Sequence, residues 1–329
     1  MMHENNVLEV RDLHKHFPIK GKGVFSRITG HVKAVNGVSF DLKAGESLGL
    51  VGESGCGKTT LGRCLLRAIT PTQGDVMYKS QNQQECNITK LKYKELWTVR
   101  PEMQMIFQDP YSSLNPRMTI QKIVGEPLLC NKILKGRELK DRVSELVEMV
   151  GLDSRHLERY PHAFSGGQRQ RIGIARALAT NPRLLICDEA VSALDVSVQA
   201  QILNLLLDLQ SRLGFSYIFI SHDLGVIRHV SNRIAVMYVG KIVELGDTED
   251  IFNNPLHPYT QSLIGARPVI DPRKKAKRTP LKGEVANPAN PPSGCYFHPR
   301  CSICVDDCKE NSQTFREVRP NHFVLCDRV

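Results

Sequence analysis

A glycine-rich stretch, GESGCGKTT from Gly52 to Thr60, carries residues suited to binding phosphate. Its glycines let successive backbone N–H groups converge on phosphate oxygens, and a helix that begins there adds the positive end of its dipole. Lys58 supplies a mobile positive charge for the outer phosphates, and the Thr59 hydroxyl is placed to ligate Mg²⁺. A β-rich run before the stretch and a helical pattern after it are the context that the motif G-x-x-x-x-G-K-[ST] requires. We therefore predict a nucleotide site built from Gly52, Glu53, Ser54, Gly55, Cys56, Gly57, Lys58, Thr59 and Thr60.

Two carboxylates, Asp188 and Glu189, follow the apolar run LLIC. At the end of a buried strand beside a phosphate loop, Asp188 is suited to hold Mg²⁺ through its water shell. Glu189 is suited to orient or deprotonate an attacking water. Alone, an Asp-Glu pair at the end of a strand is common and indicates no function. Together with the phosphate loop, the pair predicts a nucleotide hydrolase.

Ten cysteines are many for an intracellular chain, and half of them crowd between Cys295 and Cys326. Because the N-terminus lacks the basic-then-apolar layout of an export signal, we do not expect secretion, and disulfides are disfavoured. The clustered set then favours a metal site. Cys56, inside the phosphate loop, is interpreted as a small side chain that the loop tolerates rather than as a redox group.

Short β-rich runs alternate with helical patterns over most of the chain. The apolar residues of Val196–Leu213 fall on one helix face, and those of 139–150 do the same. The runs LLICD and YIFIS show no polar alternation, so we expect them to be buried on both faces, as central strands of a helix-flanked sheet are. The predicted fold class is therefore α/β, with strands at Val38–Leu42, Ser47–Val51, Met103–Phe107, Leu184–Asp188, Tyr217–Ser221 and Arg233–Tyr238.

The 329 residues predict one large domain with an appendage, or two domains. The composition of the sequence changes near Gly265–Pro268, where we place the boundary. Its 44 basic and 34 acidic residues give a net charge of +10, and half of the excess lies in Asp271–Lys282. Such a run either forms a solvated linker, which we favour, or touches nucleic acid or an anionic membrane face. Because no stretch approaches the roughly 18 uninterrupted apolar residues of a spanning helix, we do not expect the chain to cross a membrane by itself.

The string FSGGQRQR, from Phe164 to Arg171, resembles the signature motif of ABC transporter ATP-binding subunits. Other elements of that family are matched in the expected order. Gln108 resembles the Q-loop glutamine, SALD at Ser192–Asp195 resembles the D-loop, and His222 resembles the switch histidine. Phe17 lies where an aromatic side chain usually stacks on adenine, although packing in the core is an equal alternative for it.

The resemblance implies a P-loop NTPase (RecA-like) ABC nucleotide-binding domain with a helical subdomain and an antiparallel β-subdomain. We expect this domain at residues 1–266, its helical subdomain at about 110–175, and a C-terminal extension with a cysteine cluster at 267–329. The resemblance also implies head-to-tail dimers that sandwich two ATP molecules, with the signature of one subunit facing the phosphate held by Lys58 of the other. The implied catalytic residues are Glu189, His222 and Lys58; ATP contacts are also implied for Phe17, Gln108, Ser165, Gly166, Gly167, Gln168 and Asp188, and Mg²⁺ contacts for Thr59, Gln108 and Asp188.

Longer strings, among them FQDPYSSLNPRMTI and HPYTQSL, are similar to the dipeptide and oligopeptide importer branch. The stretch Ile19–Lys33 resembles the longer N-terminal loop of F-type subunits rather than that of their D-type partners. One position departs from the family pattern, because Ala190 stands where a proline usually follows the catalytic glutamate. The carboxylates are intact, so we expect activity to survive this change. Importers of nickel and other small solutes share the branch, which leaves the substrate open.

The C-terminal cysteines resemble the tail of peptide-importer ATPases, where four cysteines hold a 4Fe–4S cluster. The spacing C-x5-C-x6-C-x17-C leaves Cys304 spare, and thiolates are the expected ligands of such a cluster. A Zn²⁺ site is the main alternative, since four thiolates also make a tetrahedral zinc set, and a tail without any metal is the third. The implied ligands are Cys295, Cys301, Cys308 and Cys326.

The importer resemblance implies a peripheral subunit on the cytoplasmic face of the inner membrane. Its implied partners are a D-type ATPase subunit or a second copy of itself, two transmembrane permease subunits and, indirectly, an external peptide-binding protein. We expect no specific nucleic acid. Two alternatives remain: a soluble ABC-type ATPase acting on nucleic acid, which the basic run slightly favours, and a regulatory module that holds ATP without hydrolysing it.

Overall fold

A computed structural model describes residues 2–21, 27–266 and 283–329. The basic run Asp271–Lys282 therefore lies outside the described residues. The strands are β1 (Asn6–Lys20), β2 (Ile28–Lys43), β3 (Ser47–Val51), β4 (Gln73–Lys79), β5 (Glu85–Asn87), β6 (Met103–Ile106), β7 (Leu184–Asp188), β8 (Ser216–Ile220), β9 (Arg233–Tyr238), β10 (Lys241–Asp247), β11 (Phe315–Arg319) and β12 (His322–Leu325). The helices are α1 (Lys58–Leu65), α2 (Tyr93–Val99), α3 (Ile120–Cys130), α4 (Gly136–Met149), α5 (Gly166–Leu178), α6 (Val196–Leu213), α7 (Leu224–Val230), α8 (Thr248–Asn253), α9 (Pro258–Gly265) and α10 (Asp307–Glu310).

The described chain divides into two compact units, the first formed by residues 1–8, 42–46 and 77–220. In this unit β6, β7 and β8 lie side by side as parallel strands, with β7 in the middle. Every residue of β7 and β8 is buried. The expectation that LLICD and YIFIS are covered on both faces is thus confirmed, because helix-flanked parallel strands have no solvent-facing side.

Helices α3, α4 and α5 pack on one another in the first unit, and α5 also contacts β6. Helix α6 has the predicted bounds because both ends are capped: Asp195 accepts a hydrogen bond from Val198 N–H, and Gly214 ends the helix at φ 71°. The predicted apolar face of α6 is partly wrong. Leu203 is buried, whereas Leu213 is 36% exposed, since it lies in the last turn before the cap.

The second unit consists of residues 9–41, 47–76 and 221–329. Here β3 and β9 are parallel, and β10, β12 and β11 continue from β9 as antiparallel strands. A second group of strands in this unit has the order β2, β1, β4. The core of the unit contains large buried side chains, among them Tyr238, Tyr259 and Phe297. The centroids of these three rings lie 4.8 to 5.5 Å apart. One of these rings, Phe297, belongs to the extension predicted at 267–329, and it contacts the rings of Tyr238 and Tyr259.

Among the described residues, no helix is both long and apolar enough to cross a membrane.

Candidate active site

The phosphate loop runs from the end of β3 to the start of α1, as the sequence predicts. Gly52 has φ 151° and Gly57 has φ 111°, a region of the backbone map that side chains disfavour. A Cβ on Gly57 would lie 2.0 Å from the Ala34 carbonyl oxygen, and a Cβ on Gly52 would lie 2.1 Å from that of Met237. Glycine is therefore required at both positions for the loop to pass this close to neighbouring backbone.

Lys58 is buried inside the turn of the loop, with 6% of its surface exposed. Its ammonium group donates to the carbonyl oxygens of Gly52, at 2.7 Å, and of Glu53, at 3.0 Å. The Cys56 sulfur lies 3.8 Å from the same nitrogen, and burial raises the pKa of the Cys56 thiol. A buried thiol with a raised pKa is a poor nucleophile, which supports the interpretation of Cys56 as a small packed side chain.

Glu53 makes contacts through both its backbone and its side chain. Its backbone N–H donates to the Tyr259 hydroxyl oxygen at 2.9 Å. Its carboxylate accepts two hydrogen bonds from Arg300, at 2.8 and 3.1 Å. Neither Tyr259 nor Arg300 is predicted from the sequence to contribute to the site. Tyr259 lies in the string HPYTQSL and Arg300 directly precedes Cys301, but nothing in the pattern of either segment indicates a contact with a loop that lies about two hundred residues earlier.

The carboxylates Asp188 and Glu189 lie at the end of β7 in the first unit. Asp188 is buried, and Glu189 turns away from the strand with φ 48°, held by a hydrogen bond from its N–H to the Ile220 carbonyl. The Gln108 side-chain amide donates to the Glu189 carboxylate at 2.8 Å. The structure thus joins two predicted site residues that are 81 positions apart in the sequence.

The signature segment forms the start of α5. Ser165 is the N-cap, and it exchanges hydrogen bonds with Gln168, whose N–H donates to the Ser165 hydroxyl and whose amide oxygen accepts from Ser165 N–H. Gly166 and Gly167 begin the helix, and a Cβ on Gly167 would lie 2.4 Å from a Val198 methyl group. A capped helix start with no side chains at its first two positions presents backbone N–H groups to an anion.

The other predicted ATP contacts are at least partly accessible. His222 is exposed between β8 and α7, and the next residue, Asp223, caps α7 by accepting from Gly225 N–H. Phe17 is half-buried near the end of β1, and the ammonium of Lys15 lies 4.8 Å from its ring centroid. Phe17 is therefore not fully buried in the core.

The cysteine tail brings the predicted thiols into each other's electrostatic reach. Burial above all, with smaller contributions from the thiols of Cys326, Cys301 and Cys308, raises the pKa of Cys295 to about 11. Cys295 and Cys308 are also joined by a backbone hydrogen bond of 2.9 Å. Within the described ranges, however, no three His, Cys, Asp or Glu side chains are grouped closely enough to surround one metal ion.

Two family models and many relatives match this chain. Residues 35–192 match the family model described as ABC transporter, and residues 243–308 match that of the oligopeptide/dipeptide transporter C-terminal region. The oligopeptide transport ATP-binding protein AppF of Bacillus subtilis (strain 168) is 51% identical over 325 residues, covering 98% of this chain and 97% of that protein. The dipeptide transport ATP-binding protein DppF of Haemophilus influenzae is 47% identical over 323 residues, covering 98% of this chain and 97% of that protein.

Among solved structures, the chain is similar to the ATP-binding cassette MJ0796 in a dimeric post-hydrolysis state bound to ADP and Pi. The TM-score is 0.63 and the identity 28%, with 73% of this chain and 98% of that chain covered.

Proposed function

This chain belongs to the ATP-binding subunits of ABC transporters, of the oligopeptide and dipeptide importer type, and we propose that it hydrolyses ATP to power peptide uptake across the inner membrane. The observation that carries the proposal is the full-length similarity to two peptide transport ATP-binding proteins. The placement of Glu189 against Gln108 supports hydrolysis rather than binding alone, because a positioned carboxylate is what activation of water needs. The peptide relatives also favour this function over the nucleic-acid alternative and over nickel import.

We propose the following roles for the site residues. Backbone N–H groups of Gly52–Thr60 and the Lys58 ammonium hold the phosphates, and Phe17 stacks on adenine. Mg²⁺ neutralises phosphate charge when it is bound, and Thr59, Asp188 and Gln108 have the oxygen donors that it prefers. Glu189 acts as general base and His222 contacts the γ-phosphate. Signature contacts to ATP held by a second subunit come from Ser165, Gly166, Gly167 and Gln168.

The proposed organisation is an ABC nucleotide-binding domain at residues 1–266, with a helical subdomain at about 110–175 and an antiparallel β-subdomain, and a C-terminal extension at 267–329. Helices α3, α4 and α5, which pack together, support the helical subdomain. The proposed partners are a D-type ATPase or a second copy, two permease subunits and an external peptide-binding protein, with this subunit on the cytoplasmic face of the inner membrane.

The partners can be tested by purifying the tagged full-length chain with ATP from detergent-solubilised membranes and identifying what accompanies it by mass spectrometry. We expect multi-spanning permease subunits and a second ATPase. Recovery of nucleic-acid-processing proteins without any membrane protein would overturn the importer function in favour of the nucleic-acid alternative.

For the cysteine tail we propose a 4Fe–4S cluster on Cys295, Cys301, Cys308 and Cys326. A single Zn²⁺ needs its four donors about 2.3 Å away, whereas each iron of a four-iron cluster takes one thiolate, so the ligand cysteines stand further apart. What supports a shared site is that the nearby thiols of Cys301, Cys308 and Cys326 act electrostatically on Cys295.

Replacing Cys295 with serine is expected to abolish the brown colour and the absorption near ~400 nm of the anaerobically purified protein, because one of four thiolate ligands is lost. The matched control is Cys304→Ser, which changes a nearby cysteine outside the proposed ligand set and should leave the spectrum unchanged. A wild-type spectrum in the Cys295 variant would remove that residue from the ligand set, and zinc without iron in the wild-type protein would overturn the cluster.

A further inference from the structure

A bidentate ion pair between Arg300 and Glu53 joins the cysteine tail to the phosphate loop. The Arg300 guanidinium donates to both carboxylate oxygens of Glu53, at 2.8 and 3.1 Å. Only 5% of the Arg300 side chain and 25% of the Glu53 side chain are exposed. An arginine guanidinium stays protonated in proteins, so the positive charge of Arg300 is always present. A paired geometry of this kind is among the stronger charged contacts in proteins.

The pair is fixed from both sides. The guanidinium carbon of Arg300 lies 5.9 Å from the centroid of the buried Tyr238 ring, and Arg300 ends a short 3₁₀ turn that begins at His298. On the loop side, Tyr259 accepts from the Glu53 backbone N–H, and Lys58 donates to the Glu53 carbonyl. The backbone of Glu53 is thus held in place, and the Arg300 side chain beside it is buried, with 5% of its surface exposed.

Glu53 is an unfavourable residue for a loop that binds a triphosphate. It is the one acidic residue between Gly52 and Thr60, and its charge has the same sign as that of the phosphates. In a partly buried site such a carboxylate repels the ligand more strongly than it would in water. The Arg300 guanidinium sits directly on this carboxylate and offsets its charge.

We infer that Arg300 is a positioning residue for ATP: it masks the negative charge of Glu53 and so allows the phosphate loop to accept the triphosphate. This inference rests on the proposed function, because it assumes that the loop binds ATP. It gives the C-terminal tail a part in nucleotide binding that is separate from any metal that the cysteines hold.

A purely structural role for the same ion pair makes a different prediction. If the ion pair only holds the tail against the loop, removing either partner breaks the ion pair, and both single variants weaken ATP binding. If Arg300 masks the charge of Glu53, substituting Arg300 and substituting Glu53 have different effects on ATP affinity. Arg300→Met exposes the Glu53 carboxylate and weakens binding, whereas Glu53→Gln removes the repulsive charge, leaves Arg300 cationic and does not weaken it.

The test is calorimetric titration of the full-length chain with the non-hydrolysable analogue AMP-PNP and Mg²⁺. We expect Arg300→Met to raise the Kd about tenfold. The Kd of the double variant Arg300→Met/Glu53→Gln should return to within about twofold of the wild-type value. Arg300→Lys keeps the positive charge but loses the bidentate geometry, so its Kd should lie between those of Arg300→Met and wild type. The increase in Kd should be smaller for ADP than for AMP-PNP, since ADP carries less charge.

The matched control is Arg228→Met. Arg228 also forms a two-pronged pair, with Glu249, but on an exposed surface, and its loss should leave the Kd unchanged. Weaker binding in both Arg300→Met and Glu53→Gln, or an unrescued double variant, would overturn charge masking. Wild-type affinity in Arg300→Met would overturn the positioning role altogether. Failure of the wild-type chain itself to bind AMP-PNP would instead refute the proposed function.

Discussion

Replacing Glu189 with glutamine is expected to lower the ATPase rate by a factor of about 10² to 10⁴ while ATP still binds. The amide has nearly the same shape as the carboxylate but cannot accept the proton of the attacking water. The Gln108 amide, which donates to Glu189 at 2.8 Å, can still donate to the side-chain oxygen of glutamine, so the arrangement of the site is retained. Only the step that consumes ATP is lost.

Since ATP persists in this variant, a dimer held together by ATP should accumulate. Phosphate release measures the rate, and size-exclusion chromatography with Mg-ATP measures the dimer. The control is Glu249→Gln, which alters an exposed glutamate paired with Arg228 and should change neither quantity. A Glu189 variant with full activity would contradict the role of general base. A variant that no longer binds ATP would show that Glu189 serves structure rather than chemistry.

The parts of the site that depend on local sequence could be predicted from the sequence alone. A glycine-rich turn between an apolar strand and a helix is the context of the phosphate-loop motif. The structure forms this turn between β3 and α1. The strands at Ser47–Val51, Leu184–Asp188 and Arg233–Tyr238 have their predicted bounds, because each is a continuous apolar run ended by a polar or glycine-containing turn. β6 ends one residue earlier than predicted, at Ile106, and the next residue, Phe107, is 43% exposed.

Contacts between distant segments could not be predicted in this way. Arg300 and Glu53 are 247 positions apart, and Glu244 and His322, which form a fully buried pair at 2.8 Å, are 78 apart. A charged residue in a sequence is normally solvated, so nothing in the local pattern distinguishes one that will be buried against a partner. Only the pairing of β10 with β12 brings Glu244 and His322 together, and that pairing depends on the whole fold.

The departure at Ala190 is explained by packing. Ala190 is 1% exposed, directly after Glu189, whose backbone has φ 48°. A small side chain fits this buried position, and Glu189 N–H still bonds to the Ile220 carbonyl. The expectation that activity survives with alanine at this position stays a prediction.

Acidification below neutral pH is expected to destabilise the protein through His257, a buried histidine in the string HPYTQSL. It is 2% exposed, and burial lowers its pKa to about 4, although the nearby carboxylate of Glu244 acts in the opposite direction. Its Nδ1 accepts a hydrogen bond from Tyr259 N–H at 3.0 Å, which requires the neutral ring. An unfolded histidine binds its proton near pH 6.5. Between these two pKa values the unfolded state holds more protons than the folded state, so stability falls as the pH falls.

At about 1.4 kcal/mol per pH unit, the free energy of unfolding should decrease by about 2 kcal/mol between pH 6.5 and pH 5 from this group alone. His257→Asn is the variant that isolates it, because an asparagine oxygen can accept from the same N–H but does not titrate. Thermal unfolding of both proteins across this range should give a steep pH dependence for wild type and a shallower one for the variant. The control His31→Asn removes an exposed histidine and should keep the wild-type slope.

Equal slopes in wild type and His257→Asn would contradict the assignment. The effect should also reach the nucleotide site, because Tyr259, whose N–H is bonded to His257, holds Glu53 of the phosphate loop through its hydroxyl. Protonation of His257 breaks the contact that fixes the start of α9 and so loosens the support of the loop. AMP-PNP binding should therefore weaken over the same pH range in wild type and less in His257→Asn, which separates this local effect from the titration of the phosphates.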